Sequence, residues 1–189
     1  MSSQKKLELH RILIAGFGGQ GVLALGDTIA YAAMREGRHI TWIPSYGPES
    51  RGGTSNCHVT ISDGEISSPV VDEPDVFIAM NLPSMDRFEA AVKKGGLIIY
   101  NSSLINRKPH RSDVRSVAIP ATDVANELGN INVANMVALG AYLKFTGVVS
   151  RDTVINEAIP HILVGKKKEL IDLDVKAVDE GVKIAGRGA

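Results

Sequence analysis

The chain predicts an α/β fold: a mostly parallel sheet flanked by helices, with an inserted β-hairpin. Three observations carry that expectation. An apolar run, Arg11-Ile12-Leu13-Ile14-Ala15, leads into Gly16-Phe17-Gly18-Gly19-Gln20-Gly21 and then into a long alanine-rich helical pattern. Strand, G-x-G-x-x-G and helix in that order is the context in which Rossmann-like folds pack a helix closely onto a strand. Short apolar runs then alternate with helical patterns down the chain, as a parallel sheet with crossover helices requires. Finally, Asp63-Gly64 is a strong two-residue turn pair, placing a hairpin between segments 54–61 and 65–70.

Taken in order, segment 11–15 is the first strand. Segment 22–35 is a helix, because Val22, Leu25, Ile29 and Ala32 recur at helical spacing. Its other faces carry Leu23, Ala24, Ala30 and Tyr31, and a helix apolar nearly all round is buried on more than one side. Cover by something besides its own sheet is therefore expected. Segment 39–43 is the second strand, and 44–53 a loop rich in Gly, Pro and Ser. Segment 75–80 is a strand closed by Asn81, and Pro83 stands where a helix begins that runs to about residue 94. Gly95-Gly96 precedes a buried strand over 97–100, closed by Asn101. Segment 106–112 is polar loop and 114–119 a strand. The last third is helical, over 122–128, 133–145, 151–159 and 166–185. With no repeat, low-complexity tract or linker, residues 1–189 are expected to form one domain.

Composition narrows the function. Lys plus Arg equals Asp plus Glu at 21 each, which gives no electrostatic footprint for nucleic acid or an anionic membrane surface. A single cysteine, Cys57, excludes internal disulfides and any four-thiolate cluster built by this chain alone. The N-terminus is polar, and no apolar stretch approaches the roughly twenty residues that span a bilayer. A soluble, cytoplasmic protein without nucleic-acid or membrane partners is expected. His10, His39, His58, His110 and His161 fit no metal spacing. Cys57 is expected to be a small buried hydrophobe, and a dyad with His58 is disfavoured because adjacent strand residues face opposite ways. Lys166-Lys167-Lys168 is expected to be a solvated helix start.

Ligands of open parallel sheets bind beyond the carboxyl ends of the strands. Two segments there carry backbone-permissive or anion-pairing residues: Gly16, Gly18, Gly19, Gln20 and Gly21 in the first turn, and Ser45, Tyr46, Gly47, Arg51, Gly52 and Gly53 in the second loop. These are the candidate binding residues; no catalytic residue and no metal ligand is assigned. Asn81 and Asn101 read as turn-forming asparagines. About twenty residues beyond the glycine turn, where NAD enzymes carry an acidic ribose ligand, the chain has Ile40-Thr41-Trp42-Ile43-Pro44-Ser45 and no carboxylate. An NAD(P)-binding oxidoreductase stays as an alternative only through Arg51, whose guanidinium could answer a 2′-phosphate.

The two loops together, Ile14-Ala15-Gly16-Phe17-Gly18-Gly19-Gln20-Gly21 and Ser45-Tyr46-Gly47-Pro48-Glu49-Ser50-Arg51-Gly52-Gly53, resemble the gamma subunit of 2-oxoacid:ferredoxin oxidoreductases, the pyruvate/ketoisovalerate oxidoreductase gamma family. The 2-oxoglutarate-type branch is the nearest match. The resemblance continues through Ser62-Asp63-Gly64-Glu65-Ile66, Gly95-Gly96-Leu97-Ile98-Ile99-Tyr100-Asn101 and residues 132–147. It implies a subunit, inactive alone, of an enzyme that oxidatively decarboxylates a 2-oxoacid with coenzyme A, giving acyl-CoA, CO2 and reduced ferredoxin. It also implies thiamine diphosphate, magnesium and 4Fe–4S clusters in the complex, none of them bound by this chain alone. Partners would be thiamine-binding alpha and beta subunits, a ferredoxin-like delta subunit and ferredoxin as acceptor, with self-association possible in isolation. The glycine turn and second loop would then face a shared site, with Arg51 meeting a phosphate or carboxylate. A non-catalytic structural adaptor of the same complex is the other alternative.

Overall fold

The computed structural model describes residues 8–47, 53–165 and 167–187. Pro48, Glu49, Ser50, Arg51 and Gly52 of the second loop, and Lys166, lie outside the described residues. Six strands form one sheet: β1 (His10–Phe17), β2 (His39–Tyr46), β3 (Thr54–Ser62), β4 (Val76–Ala79), β5 (Leu97–Asn101) and β6 (Arg115–Ile119), in the order β2-β3-β1-β4-β5-β6. β1, β4, β5 and β6 run parallel, while β3 lies antiparallel between β1 and β2. The mostly parallel α/β layout is thus as the sequence predicts.

The hairpin is displaced from its expected place. β3 pairs with β1 and β2, and residues 65–70 form no strand; the real hairpin is β2–β3, joined through residues 47–53. At Asp63-Gly64 the Gly64 N–H donates to Ser62 Oγ at 3.0 Å, so the chain turns there without a ladder behind it. Pro69 and two serines deny segment 65–70 the β-branched alternation that would make it a strand. Pro44, Ser45 and Tyr46, expected in a loop, extend β2 at the sheet edge, where a proline costs no ladder bond.

α1 (Val22–Arg35) packs Val22, Leu25 and Ile29 into the larger core. A Cβ at Gly26 would collide with Cys57 Sγ and lie 3.1 Å from Trp42 Nε1, so its absence lets the helix sit directly on the sheet. The cover expected for the far side of α1 comes largely from the chain itself. α5 (Arg151–Thr153) runs through a π-helical turn, Val154–Ala158, into α6 (Ile159–Ile162), and the π-helical turn and α6 lie against α1. Pro160 has no N–H to give to the preceding turn, which accounts for the widened helix. His161 stacks on Tyr31 at 3.9 Å between ring centroids.

α3 (Ala121–Glu127), α4 (Ala134–Thr146) and α7 (Lys168–Arg187) complete this face. α4 and α7 cross at two glycines: a Cβ on Gly140 would strike Val178 O, and one on Gly181 would strike Val137 O. The opposite face carries α2 (Leu82–Phe88) and a smaller core of Leu13, Phe77, Met85, Val92 and Ile98. Among the described residues no helix is long and apolar enough to cross a membrane.

Candidate functional site

The carboxyl ends of β1, β4 and β5 carry a network of carboxamides. Gln20 Oε1 accepts from Phe17 N–H at 2.7 Å and from Asn81 Nδ2 at 2.8 Å, while Gln20 Nε2 donates to Met80 O at 3.3 Å. Asn101 Nδ2 donates to Met80 O at 3.3 Å and to Thr122 Oγ1 at 2.8 Å. Asn81 Oδ1 accepts from Ser84 N–H at 2.9 Å and so caps α2. Asn81 and Asn101 are therefore structural, but as buried linkers between strand ends rather than solvent turns.

This network changes what the glycine turn can do. β1 feeds its crossover toward β2, and β4 feeds its own toward β5, so the gap between β1 and β4 is the switch point where open α/β sheets hold ligands. Here Gln20 and Asn81 fill that gap. Of the turn's amides, Phe17 N–H is taken by Gln20, and Gly18 N–H donates to Gly53 O at 2.9 Å. At Gly16 a Cβ would lie 2.7 Å from Gln20 Oε1 and 2.9 Å from Met80 Cβ, so glycine there admits the Gln20 side chain. Gly21 has φ +71°, and a Cβ on it would lie 2.5 Å from Asn135 Nδ2, which donates instead to Gly21 O at 3.2 Å.

The open side of the turn faces the other way. Phe17, Gly18, Gly19 and Gly21, the first turn of α1, the end of β2 (Tyr46, Gly47) and the start of β3 (Gly53, Thr54, Ser55) surround a cleft of about 600 Å³. Val22, Leu23 and Ala24 form its apolar floor, and their N–H groups, in the first helical turn, have no intrahelical acceptor. Tyr46, 70% exposed, stands at the rim. Gly47 N–H donates to Thr54 O at 3.1 Å, closing the hairpin beside the cleft.

Seven of the eleven residues singled out in the sequence are accounted for here: Gly18, Gly19, Gly21, Tyr46, Gly47 and Gly53 line the cleft, and Gly16 lies beneath it. Gln20 borders a separate cavity of about 170 Å³ with Met80, Leu104 and Ile131. Ser45 points to the opposite face of the sheet, as alternation from Tyr46 demands. Arg51 and Gly52 are among the residues not described. Val22, Leu23 and Ala24 join the cleft because the first turn of α1 follows the glycines directly, whereas Thr54 and Ser55 enter it only through the pairing of β3 with β1, which brings Thr54 opposite Phe17.

The dinucleotide reading fails on topology. In the NAD fold the second strand lies next to the first, so that its acidic end reaches the ribose. Here β3 separates β1 from β2, which displaces the end of β2 by a further strand spacing of about 4.8 Å. Cys57, wholly buried behind α1, has its thiol pushed up to about 12 by burial, which keeps it protonated and inert. Among the described residues, no three His, Cys, Asp or Glu side chains gather to hold a metal.

An α/β domain whose glycine turn opens onto a cleft lined, among the described residues, by apolar and uncharged groups is the class that fold and site define. The family model described as pyruvate ferredoxin/flavodoxin oxidoreductase matches residues 11–184, and the chain belongs to that family. It is 43% identical over 175 residues to the ketoisovalerate oxidoreductase subunit VorA of Methanothermobacter thermautotrophicus, covering 93% of this chain and 36% of VorA. The chain thus spans about a third of the length of that relative. The crystal structure of the gamma subunit of a keto/oxoacid ferredoxin oxidoreductase from Geobacter sulfurreducens PCA is similar at a TM-score of 0.81 and 31% identity, over 95% of this chain and 97% of that one. The 2-oxoglutarate:ferredoxin oxidoreductase of Magnetococcus marinus, solved with 2-oxoglutarate, coenzyme A and succinyl-CoA bound, is similar at a TM-score of 0.86 and 28% identity, over 97% of this chain and 32% of that one.

Proposed function

We propose that this chain is the gamma component of a 2-oxoacid:ferredoxin oxidoreductase and that its glycine-turn cleft forms one wall of the coenzyme A region of a site shared with companion subunits. The observation that carries the reading is the cleft of about 600 Å³ at the N-terminus of α1, apolar on its floor and edged by backbone N–H groups. That combination suits an amphipathic, phosphate-bearing cofactor: Val22, Leu23 and Ala24 would pack against its arm, and the first-turn amides of α1 favour negative charge. When bound, coenzyme A supplies the thiol that accepts the acyl group. Arg51 would add a cation for phosphate or carboxylate. Thiamine diphosphate, magnesium and the clusters belong, on this reading, to partner subunits, since one cysteine cannot ligate a cubane.

The 2-oxoacid is either 2-oxoglutarate, as the loop sequences suggest, or ketoisovalerate, as the 43% identity to VorA favours. The test is the native complex, purified through this chain and assayed for ferredoxin reduction with each oxoacid. Leu23→Asp puts a carboxylate on the cleft floor and is expected to raise the KM for coenzyme A at least tenfold with assembly intact. Unchanged kinetics in that variant and in Arg51→Ala, with normal assembly, would leave only the adaptor role.

A further inference from the structure

The sheet face opposite α1 holds a second concavity, of about 330 Å³, that the proposed function does not use. Its floor is a cross-strand array: Ser45 stands opposite Asn56, and Ile43 opposite His58, on the outer pair β2–β3. Directly opposed side chains on one face of an antiparallel pair lie about 5 Å apart, close enough to act on one small ligand. Val70 and Val71 form one wall, and Arg87 and Phe88, at the end of α2, form the other.

Three of the polar groups here are idle. Among the described residues, Ser45 Oγ, the Asn56 carboxamide and the Arg87 guanidinium make no hydrogen bond or ion pair to the protein, although other arginines of the chain, Arg107, Arg111 and Arg151, are locked into carboxylate pairs. Arg87 lies over the Phe88 ring at 5.1 Å, which lines its fork up along an apolar surface. His58 is half-buried, and burial holds its imidazole below the ordinary histidine range, against the opposing pull of a backbone hydrogen bond with Val71 and of the Asp72 carboxylate. Ile43 is 39% exposed and Val70 59% exposed, so apolar surface borders the polar groups on both sides. The chemistry is that of a small-molecule site: mostly apolar walls, one charged fork and a few neutral hydrogen-bonding groups.

We infer that this concavity binds a small carboxylate with a compact apolar tail, the carboxylate on Arg87 and Asn56 and the tail between Ile43, Val70 and Phe88. The site is separate from the glycine-turn cleft: Tyr46 and Ser55 face that cleft, while their neighbours Ser45 and Asn56 face this one. The inference therefore does not rest on the proposed function.

The test is titration of the purified full chain with three probes, followed by amide chemical shifts. 4-Methylpentanoate carries both features, 4-methylpentan-1-ol lacks the carboxylate, and acetate lacks the tail. The expected result is saturable binding of 4-methylpentanoate that moves the amides of Ser45, Asn56 and Val71, with the other two probes at least tenfold weaker. Arg87→Gln, at an exposed position, should weaken 4-methylpentanoate at least tenfold with an unchanged melting temperature, and Arg87→Lys should recover only part, because the planar fork is lost. Equal binding of the alcohol, an unaffected Arg87→Gln, shifts at Leu23 and Thr54 instead, or shifts that never saturate would each overturn the inference.

Discussion

The α4–α7 crossing depends on single residues. Gly140 and Gly181 face each other so closely that a methyl group on either would meet backbone of the other helix, not a side chain able to move aside. Overpacking of a tight core costs about 1–3 kcal/mol where neighbours can shift, and here the backbone must. Gly181→Ala is therefore expected to lose about 3 kcal/mol or more, read as a fall in the urea midpoint with an unchanged m-value. Gly186→Ala, whose Cβ would meet only the end of Lys144 at 3.5 Å, is the control and should be neutral or slightly stabilising. Similar losses in both variants would mean that the helices do not cross as closely as described.

At the scale of elements, the glycine turn is held in shape by amides from three segments: Gln20 within it, Asn81 at the head of α2 and Asn135 at the start of α4. Gln20→Leu keeps the volume but strands Phe17 N–H and the Asn81 amide, and buried groups left without partners cost about 1–3 kcal/mol each. Its stability should drop by at least the lower figure, and amide exchange should rise first at Phe17 and Gly18; protection unchanged at both positions would refute the clamp. The sequence made the turn and α1 legible, because strand, glycines and helix are contiguous and periodic. It did not show Gln20 filling the switch point, because Asn81 lies sixty-one residues away. The hairpin was misplaced for a related reason. Asp63-Gly64 is a local turn cue, whereas the pairing of β3 between β1 and β2 is a long-range choice made by Cys57, Val59 and Ile61 burying against α1. The cleft was half visible: its glycines and the helix turn after them are contiguous in sequence, but Thr54 and Ser55 enter it only through that pairing.

For the whole molecule, closure of the C-terminal helices over the sheet leaves two ionisable groups working against each other as pH changes. His10 opens β1 beside Tyr142 of α4, ring centroids 6.0 Å apart, and burial lowers its pKa to about 4. Asp174 on α7, one turn before the buried Ala177 and Val178, has its pKa raised to about 6 by burial alone. A depressed histidine favours folding above its unfolded pKa of 6.5, and that stability is lost as pH falls toward about 4, because the unfolded chain takes up the proton first. A raised aspartate does the reverse: its contribution is full below its unfolded value of 3.8 and is lost as pH rises through about 6. Between pH 4 and 6 the two slopes oppose, so the native profile should be flatter than either group alone would make it. Asp174→Asn removes one slope. Its stability should match the native chain at pH 4 and exceed it at pH 7 by about 1–2 kcal/mol, the side chain being only partly buried and its charge partly screened. His10→Gln should show the opposite change, losing the rise in stability between pH 4 and 6.5 that the histidine provides. Urea midpoints of the three proteins across pH 4 to 7 decide the matter. If Asp174→Asn gains nothing at pH 7, the Asp174 carboxylate is solvated in the folded protein, and α7 packs more loosely there than its buried neighbours indicate.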